Sequence, residues 1–153
     1  MRKDRAMGEQ QQRRDADCIF CRIAAGEIPC HRVYEDDEVL AFLDVGPLSA
    51  GHALIIPKAH YATLDEMPGE LAAACMKIAP RLAGAIRDVT GTSAYNVLQN
   101  NGELAHQAVK HVHFHIIPKS ADGGLDLTWD AGQLGDEMGR DLRTKIAGRL
   151  GRA

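Results

Sequence analysis

Eight consecutive residues limit what this chain can be: His111-Val112-His113-Phe114-His115-Ile116-Ile117-Pro118. In a β-strand successive side chains point to opposite faces, with a rise of about 3.3 Å per residue. His111, His113 and His115 then share one face, each about 6.7 Å from the next along the backbone. Val112, Phe114 and Ile116 share the other face, which needs a helix packed on it. Three imidazoles in a row make a poor solvent surface, where Thr, Ser or Lys ordinarily stands. The rings must meet a metal, an anion or one another.

The rest of the chain is compatible with one domain built around such a strand. Its 153 residues are 45% hydrophobic and 25% charged, a composition that fits an ordinary globular domain and excludes disordered and fibrous designs. No apolar run reaches the roughly 18–20 residues that cross a bilayer. The first seventeen residues mix Arg2, Lys3, Arg5, Arg13 and Arg14 with Asp4, Glu9, Asp15 and Asp17 and hold no apolar core, so no signal peptide is expected. A formal charge of −3 argues against a nucleic-acid-binding surface. Aromatic residues are only 5% of the chain, so the core must come from Ile, Leu, Val and Ala. The four cysteines are Cys18, Cys21, Cys30 and Cys75, and with no export signal expected they are read in that light. A reducing, cytoplasmic setting follows, in which a close C-x2-C pair reads as metal-binding or redox-active rather than as a disulfide.

The order of elements reads as an antiparallel α+β domain. Residues 1–16 are polar and aperiodic and are expected to form a disordered extension. Residues 17–120 form the domain proper, and 121–153 a tail with a helix. Asp17 is expected to cap a short helix over Cys18–Ala25, which Gly26 stops. Arg32–Glu35 and Val39–Leu43 flank Asp36-Asp37 as a hairpin, and Ala53–Pro57 is a third strand, apolar on both faces. From Pro68 to Val89 the residues Leu71, Cys75, Ile78, Leu82, Ile86 and Val89 step by three or four, an amphipathic helix with a kink expected at Pro80. Tyr95–Gln99 and Lys110–Pro118 complete a sheet of about five strands. In the tail Leu134, Met138, Leu142 and Ile146 recur every four residues, but Gly132, Gly135, Gly139 and Gly148 each cost about 1 kcal/mol against alanine, so this helix is expected to need packing.

Imidazole is a competent nucleophile near neutrality because its unperturbed pKa is about 6.5. Attack through one ring nitrogen requires an acceptor at the other, and a backbone carbonyl can serve. Cys18-x2-Cys21 needs two further ligands to close a tetrahedral site. A redox reading is disfavoured because the pair does not open a helix after a βαβ strand.

The triad segment, together with Cys18-Ile19-Phe20-Cys21, Glu27-Ile28-Pro29, Phe42-Leu43-Asp44, the run Gly51–His60 and Gln99-Asn100-Asn101-Gly102, resembles the histidine triad (HIT) family, in particular its Hint-like bacterial branch. The resemblance covers roughly Asp17 to Pro118. It implies the HIT fold, with a long helix on the antiparallel sheet, and hydrolysis of nucleoside phosphoramidates and related adenylates through a covalent nucleotidyl-histidine. By that resemblance His113 attacks the α-phosphorus, His52 and His115 donate to the phosphate, and Gln107 and Asn100 hold its oxygens, with no catalytic metal required. The purine nucleoside lies among Ile19, Phe20, Ile23, Phe42 and Val45, residues that plain core packing explains equally well, and Asp44 accepts the ribose hydroxyls. Structural zinc lies between Cys18, Cys21, His60 and His111, and the chain pairs as a homodimer, with Tyr95 and Val97 near the seam. Trp129 either reaches the partner or packs under the last helix.

One departure matters. Ala108 stands where family members commonly carry serine, and it cannot donate a proton. A nucleotide-binding regulator with weak catalysis therefore stays open; so, on other grounds, do a nucleotidyltransferase or dinucleoside polyphosphate phosphorylase, which shares the His-x-His nucleophile, and, least favoured, a zinc-dependent nucleic-acid module.

Overall fold

A computed structural model describes residues 13–151. Helix α1 (Ile19–Ala24) leads into strands β1 (Arg32–Glu35), β2 (Val39–Leu43) and β3 (Ala53–Pro57). Helix α2 (Gly69–Thr90), strands β4 (Ala94–Gln99) and β5 (Phe114–Lys119) and helix α3 (Asp136–Leu150) follow. The strands form one antiparallel sheet in the order β1-β2-β3-β5-β4. This is the expected α+β architecture, and the hairpin and third strand fall on the expected residues.

The central strands β2, β3 and β5 are buried on both faces, and the two faces have different work. Val39 and Ala41 of β2, Ala53 and Ile55 of β3, and Val112, Phe114 and Ile116 pack against Leu71, Cys75, Ile78, Leu82 and Ile86 of α2. The helix thus covers the apolar face of the histidine segment, as the alternation requires. Helix α2 continues through Pro80, which lies on its exposed side. On the opposite face Leu40, Phe42, Leu54 and Ile56 pack against Phe20 and Ile23 of α1. The alternation of β3 and β5 sends His52, His113 and His115 to this second face.

Several details differ from expectation. Residues 110–113 precede β5 rather than belonging to it. The β3–β5 ladder ends at Ile55↔Phe114, because continuing it would bring Pro57, which has no N–H, opposite Val112. Asp17 does not cap α1; the N-cap is Cys18, and the Asp17 N–H donates to Asp15 Oδ1 at 2.9 Å. Arg13–Ala16, placed by composition in the disordered extension, are tied to the fold: His60 N–H donates to the Arg13 carbonyl at 2.7 Å, and the Arg13 guanidinium lies 4.2 Å from the Tyr61 ring centre. Residues 1–12 of that extension lie outside the described residues. Val89 is exposed rather than facing the core. Helix α3 buries none of its residues, so Met138, Leu142 and Ile146 form an uncovered apolar stripe, and Trp129 is 84% exposed rather than packed beneath it.

The turn between β2 and β3 is built to hold one ring. Gly51 has φ +85°, a left-handed conformation that glycine adopts freely. Gly124, at φ +105°, lies so close that a Cβ there would stand 2.5 Å from the Pro118 carbonyl oxygen. Its N–H donates to the Leu48 carbonyl at 3.0 Å, and Ser49 Oγ donates to the Pro118 carbonyl at 2.6 Å. The turn that carries Leu48 and precedes His52 is thereby fixed to the end of β5.

Candidate active site

The hydrogen bonds of the three second-face histidines fix where each proton sits. A carbonyl can only accept, so His113 Nδ1–H donates to the His111 carbonyl at 2.7 Å. The Nε2 of His113 is then left with a free lone pair. The Leu48 backbone N–H donates to His52 Nδ1 at 3.1 Å, which puts the His52 proton on Nε2. That Nε2–H donates in turn to His115 Nδ1 at 2.9 Å, so His115 carries its own proton on Nε2. The cluster thus presents one nucleophilic nitrogen beside two imidazoles whose Nε2 atoms are donors. Its rings are adjacent: centroids are 4.8 Å apart for His113 and His115 and 5.1 Å for His52 and His115.

Burial sets the charge state. His113 and His52 are 4% and 3% exposed, and desolvation lowers both pKa values below the ordinary 6.5, against the opposing pull of the His111 carbonyl and then Asp44 on His113 and of Asp44 on His52. Burial, then the neighbouring His113 and His52, pushes His115 down to about 4. All three rings are therefore neutral at neutral pH, the state in which a nucleophile keeps its lone pair. An imidazole that stays neutral when folded takes up a proton on unfolding, so the unfolded chain binds more protons as pH falls. Stability is accordingly complete above pH 6.5 and declines as pH falls from 6.5 toward 4, the interval set by His115. Melting curves recorded from pH 8 to pH 4 should show a plateau and then this decline; a melting temperature that rises on acidification would contradict the neutral assignment.

The other expected site residues are distributed as follows. Asp44, half-buried, accepts the Gly46 N–H on Oδ1 at 2.8 Å and places Oδ2 3.6 Å from His52 Nε2. Phe20, Ile23 and Phe42 are buried in the second-face core, while Ile19 and Val45 are exposed. Gln107 is buried and clasps its own loop: Oε1 accepts the Gly102 N–H at 2.7 Å and Nε2 donates to the Ala62 carbonyl at 2.7 Å. Asn100 Nδ2 donates to the His106 carbonyl at 3.4 Å, and His106 sits exposed in the left-handed region at φ 62°.

A second cluster lies behind His113. One donor atom from each of Cys18, Cys21, His60 and His111 falls within 4.8 Å of every other. His111 Nε2–H donates to the Pro57 carbonyl at 2.8 Å, leaving Nδ1 unprotonated and turned toward the thiols. Cys18 Sγ and Cys21 Sγ stand 3.5 and 3.6 Å from His111 Nδ1, and His60 Nδ1 stands 3.4 Å from Cys21 Sγ and 3.3 Å from His111 Nδ1. Usual zinc bond lengths give tetrahedral edges of about 3.6 Å for sulfur–nitrogen and about 3.3 Å for nitrogen–nitrogen. The four residues fit a closed metal site with no open position. Asp44, His52 and His115 also lie together, but His52 is held as the Nε2–H tautomer by Leu48, so its inward nitrogen is a donor and not a ligand.

The side chains of both clusters are legible in the sequence. The backbone groups that fix their tautomers, Leu48 N–H and the carbonyls of Pro57 and His111, carry no residue signature. The nearest signal is the glycine at Gly51, which marks a tight turn before His52.

Comparison with known proteins identifies the family and the fold. Residues 25–122 match the HIT domain family model. An adenosine 5′-monophosphoramidase from Schizosaccharomyces pombe is 45% identical over 134 residues, covering 84% of this chain and 98% of that protein. The crystal structure of a HIT family member from Bacillus subtilis superposes with a TM-score of 0.85 at 41% identity, over 90% of this chain and 99% of that one. A Zn-bound histidine triad family protein from Mycobacterium smegmatis does so with a TM-score of 0.68 at 35% identity, over 88% of this chain and 95% of that one. With its three aligned imidazoles and this breadth of likeness, the chain belongs to the HIT family.

Proposed function

We propose that this protein is a purine nucleotide-binding hydrolase that cleaves nucleoside 5′-phosphoramidates or related adenylates. The observation that carries the reading is His113: a buried, neutral ring whose Nδ1–H is held by a carbonyl and whose Nε2 is free. Nε2 attacks the α-phosphorus, a phosphorus–nitrogen bond to His113 forms, and the bond to the leaving nitrogen breaks. The leaving group departs with the bonding pair and takes a proton from water, since Ala108 has none to give. Water then attacks the same phosphorus, the electron pair returns to Nε2, and nucleoside monophosphate leaves while the attacking water releases a proton to solvent. His115 supplies its Nε2–H where charge develops on the phosphoryl oxygens, and His52, whose one N–H is spent on His115 Nδ1, holds that ring in the donor tautomer, so positioning and electrostatics provide the acceleration without a catalytic metal.

The nucleoside lies on the α1 side of the sheet against Ile19, Phe20, Ile23, Phe42 and Val45, with Asp44 accepting from the ribose. Asn100 lies at the phosphate, and Gln107 acts there through the loop it clasps and its remaining N–H. Zinc, held by Cys18, Cys21, His60 and His111, ties α1 to the segment before β5 as a structural metal; the four cysteines, none of them in a disulfide, suit a reducing cytoplasm. Two copies pair through β4, an edge strand on which Tyr95 and Val97 are exposed. The bare stripe of α3 and exposed Trp129 are further surface that a second copy would cover.

Mixing excess enzyme with an adenosine 5′-phosphoramidate and following AMP in a single turnover tests this reading. The expected result is rapid AMP release at a rate independent of added inorganic phosphate. Phosphate-dependent ADP instead marks a phosphorylase, and binding without release marks the regulator that Ala108 raises.

A further inference from the structure

We propose that the Cys18–Cys21–His60–His111 centre is a positioning device for the nucleophile, holding His113 in its reactive tautomer when metal is bound. The inference rests on the hydrolase reading for its consequence in turnover, but not for its geometry. The acceptor that keeps the His113 proton on Nδ1 is the main-chain carbonyl of His111, itself one of the four candidate ligands. That carbonyl lies before β5 and outside the sheet ladder, so strand pairing does not hold it.

What does hold it is a set of contacts from the segments that supply the four candidate ligands. The peptide unit that carries the His111 carbonyl also carries the Val112 N–H, which donates to the Tyr61 carbonyl at 2.8 Å. Tyr61 follows His60, a second ligand. On the other side the His111 ring is fixed at both nitrogens, with Nε2–H on the Pro57 carbonyl and Nδ1 in the cluster. The orienting peptide is therefore clamped between two ligand residues. A third contact runs through α1: Phe20, between the two cysteines, sets its ring against His113 at 5.2 Å and His111 at 5.9 Å between centroids. Each chain segment that supplies a ligand thus touches the nucleophile or the carbonyl that orients it.

With metal bound these segments are cross-linked and the peptide cannot turn. Without it the peptide is held only by the Val112 N–H to Tyr61 bond and the His111 ring by Pro57, a looser hold that lets His113 place its proton part of the time on Nε2, where the tautomer has no Nε2 lone pair for attack. His60 and His111 are on this account positioning residues as well as ligands.

The test is the tautomer itself, read at pH 8 by long-range proton–nitrogen correlation on full-length protein labelled with 15N-histidine, the His113 signals being assigned by their loss in His113→Asn. Zinc-loaded protein should show His113 wholly as Nδ1–H. Chelator-stripped protein, checked by circular dichroism to remain folded, should show a tautomer mixture, and kcat should fall about 10- to 100-fold with KM little changed. A His113 that stays wholly Nδ1–H in folded, stripped protein overturns the proposal and leaves the hydrolase reading intact. A second arm uses His60→Gly with added imidazole, which restores a ligand to zinc without the covalent link to Tyr61. Recovery of zinc content and melting temperature with kcat still low supports the clamp; full recovery of kcat contradicts it.

Discussion

Replacing His113 with alanine is expected to abolish turnover and to leave nucleotide binding largely intact. The variant loses the only free imidazole nitrogen in the second-face cluster, because His52 and His115 both carry their protons on Nε2. Neither neighbour can take over the attack without surrendering a proton to a partner that already has one. The rate of AMP formation should drop by on the order of 10⁴-fold or more, as when a nucleophile acting with its neighbours is removed. The nucleotide Kd, measured by calorimetry, should change by less than about threefold, since Asp44 and the apolar side chains around α1 are untouched. Loss of binding together with turnover would mean that His113 holds the nucleotide rather than attacking it. A variant that turns over freely would move the chemistry elsewhere.

Removing metal from the proposed Cys18–Cys21–His60–His111 centre is expected to have the second largest effect, on stability. A ligand held only by the folded chain, with free metal a thousandfold above its Kd, adds about 4 kcal/mol. For a chain of this length that corresponds to a fall on the order of 10 °C in melting temperature on chelation. The same loss is expected for Cys21→Ala, whose thiol is 2% exposed at the centre of the cluster. Burial pushes the Cys21 thiol up to about 11, so in metal-free protein it is protonated at neutral pH and loading must release that proton. Affinity therefore rises with pH, and stripping is easiest toward acid. Scanning calorimetry with metal analysis of the same samples checks this. An unchanged melting temperature after complete removal of zinc would show that the cluster binds nothing the fold depends on.

How far the sequence reveals this molecule depends on which kind of atom carries the information. Side-chain periodicity is written in residue types, so Val112, Phe114 and Ile116 against α2, and the turn-flanked runs of β1, β2 and β3, could be placed before any coordinates. The start of β5 could not. It is decided by Pro57 on the neighbouring strand, whose missing N–H ends the ladder before the first two triad histidines. That irregularity releases the His111 carbonyl from the sheet and makes it available to His113, so the departure from a regular strand is what completes the site.

Side chains of the site were equally legible, since Cys18, Cys21, His60 and His111 have the donor chemistry of a metal site and the three imidazoles alternate on one segment. The tautomers were not, because Leu48 N–H and the carbonyls of Pro57 and His111 look the same in any residue. Helix α3 fails in the opposite sense. Its fourfold apolar repeat is real, but among the described residues nothing buries it, and a repeat cannot say whether its cover is the same molecule or another.

The central claim is that phosphorus passes through Nε2 of His113. Rapid mixing of the zinc-loaded protein with an adenosine 5′-phosphoramidate, acid-free quenching and intact-mass analysis followed by peptide mapping addresses it directly. The account predicts an adenylyl adduct that appears before AMP accumulates, decays as AMP forms, and maps to His113. AMP forming at full rate with no adduct, or with the adduct on another residue, would contradict it.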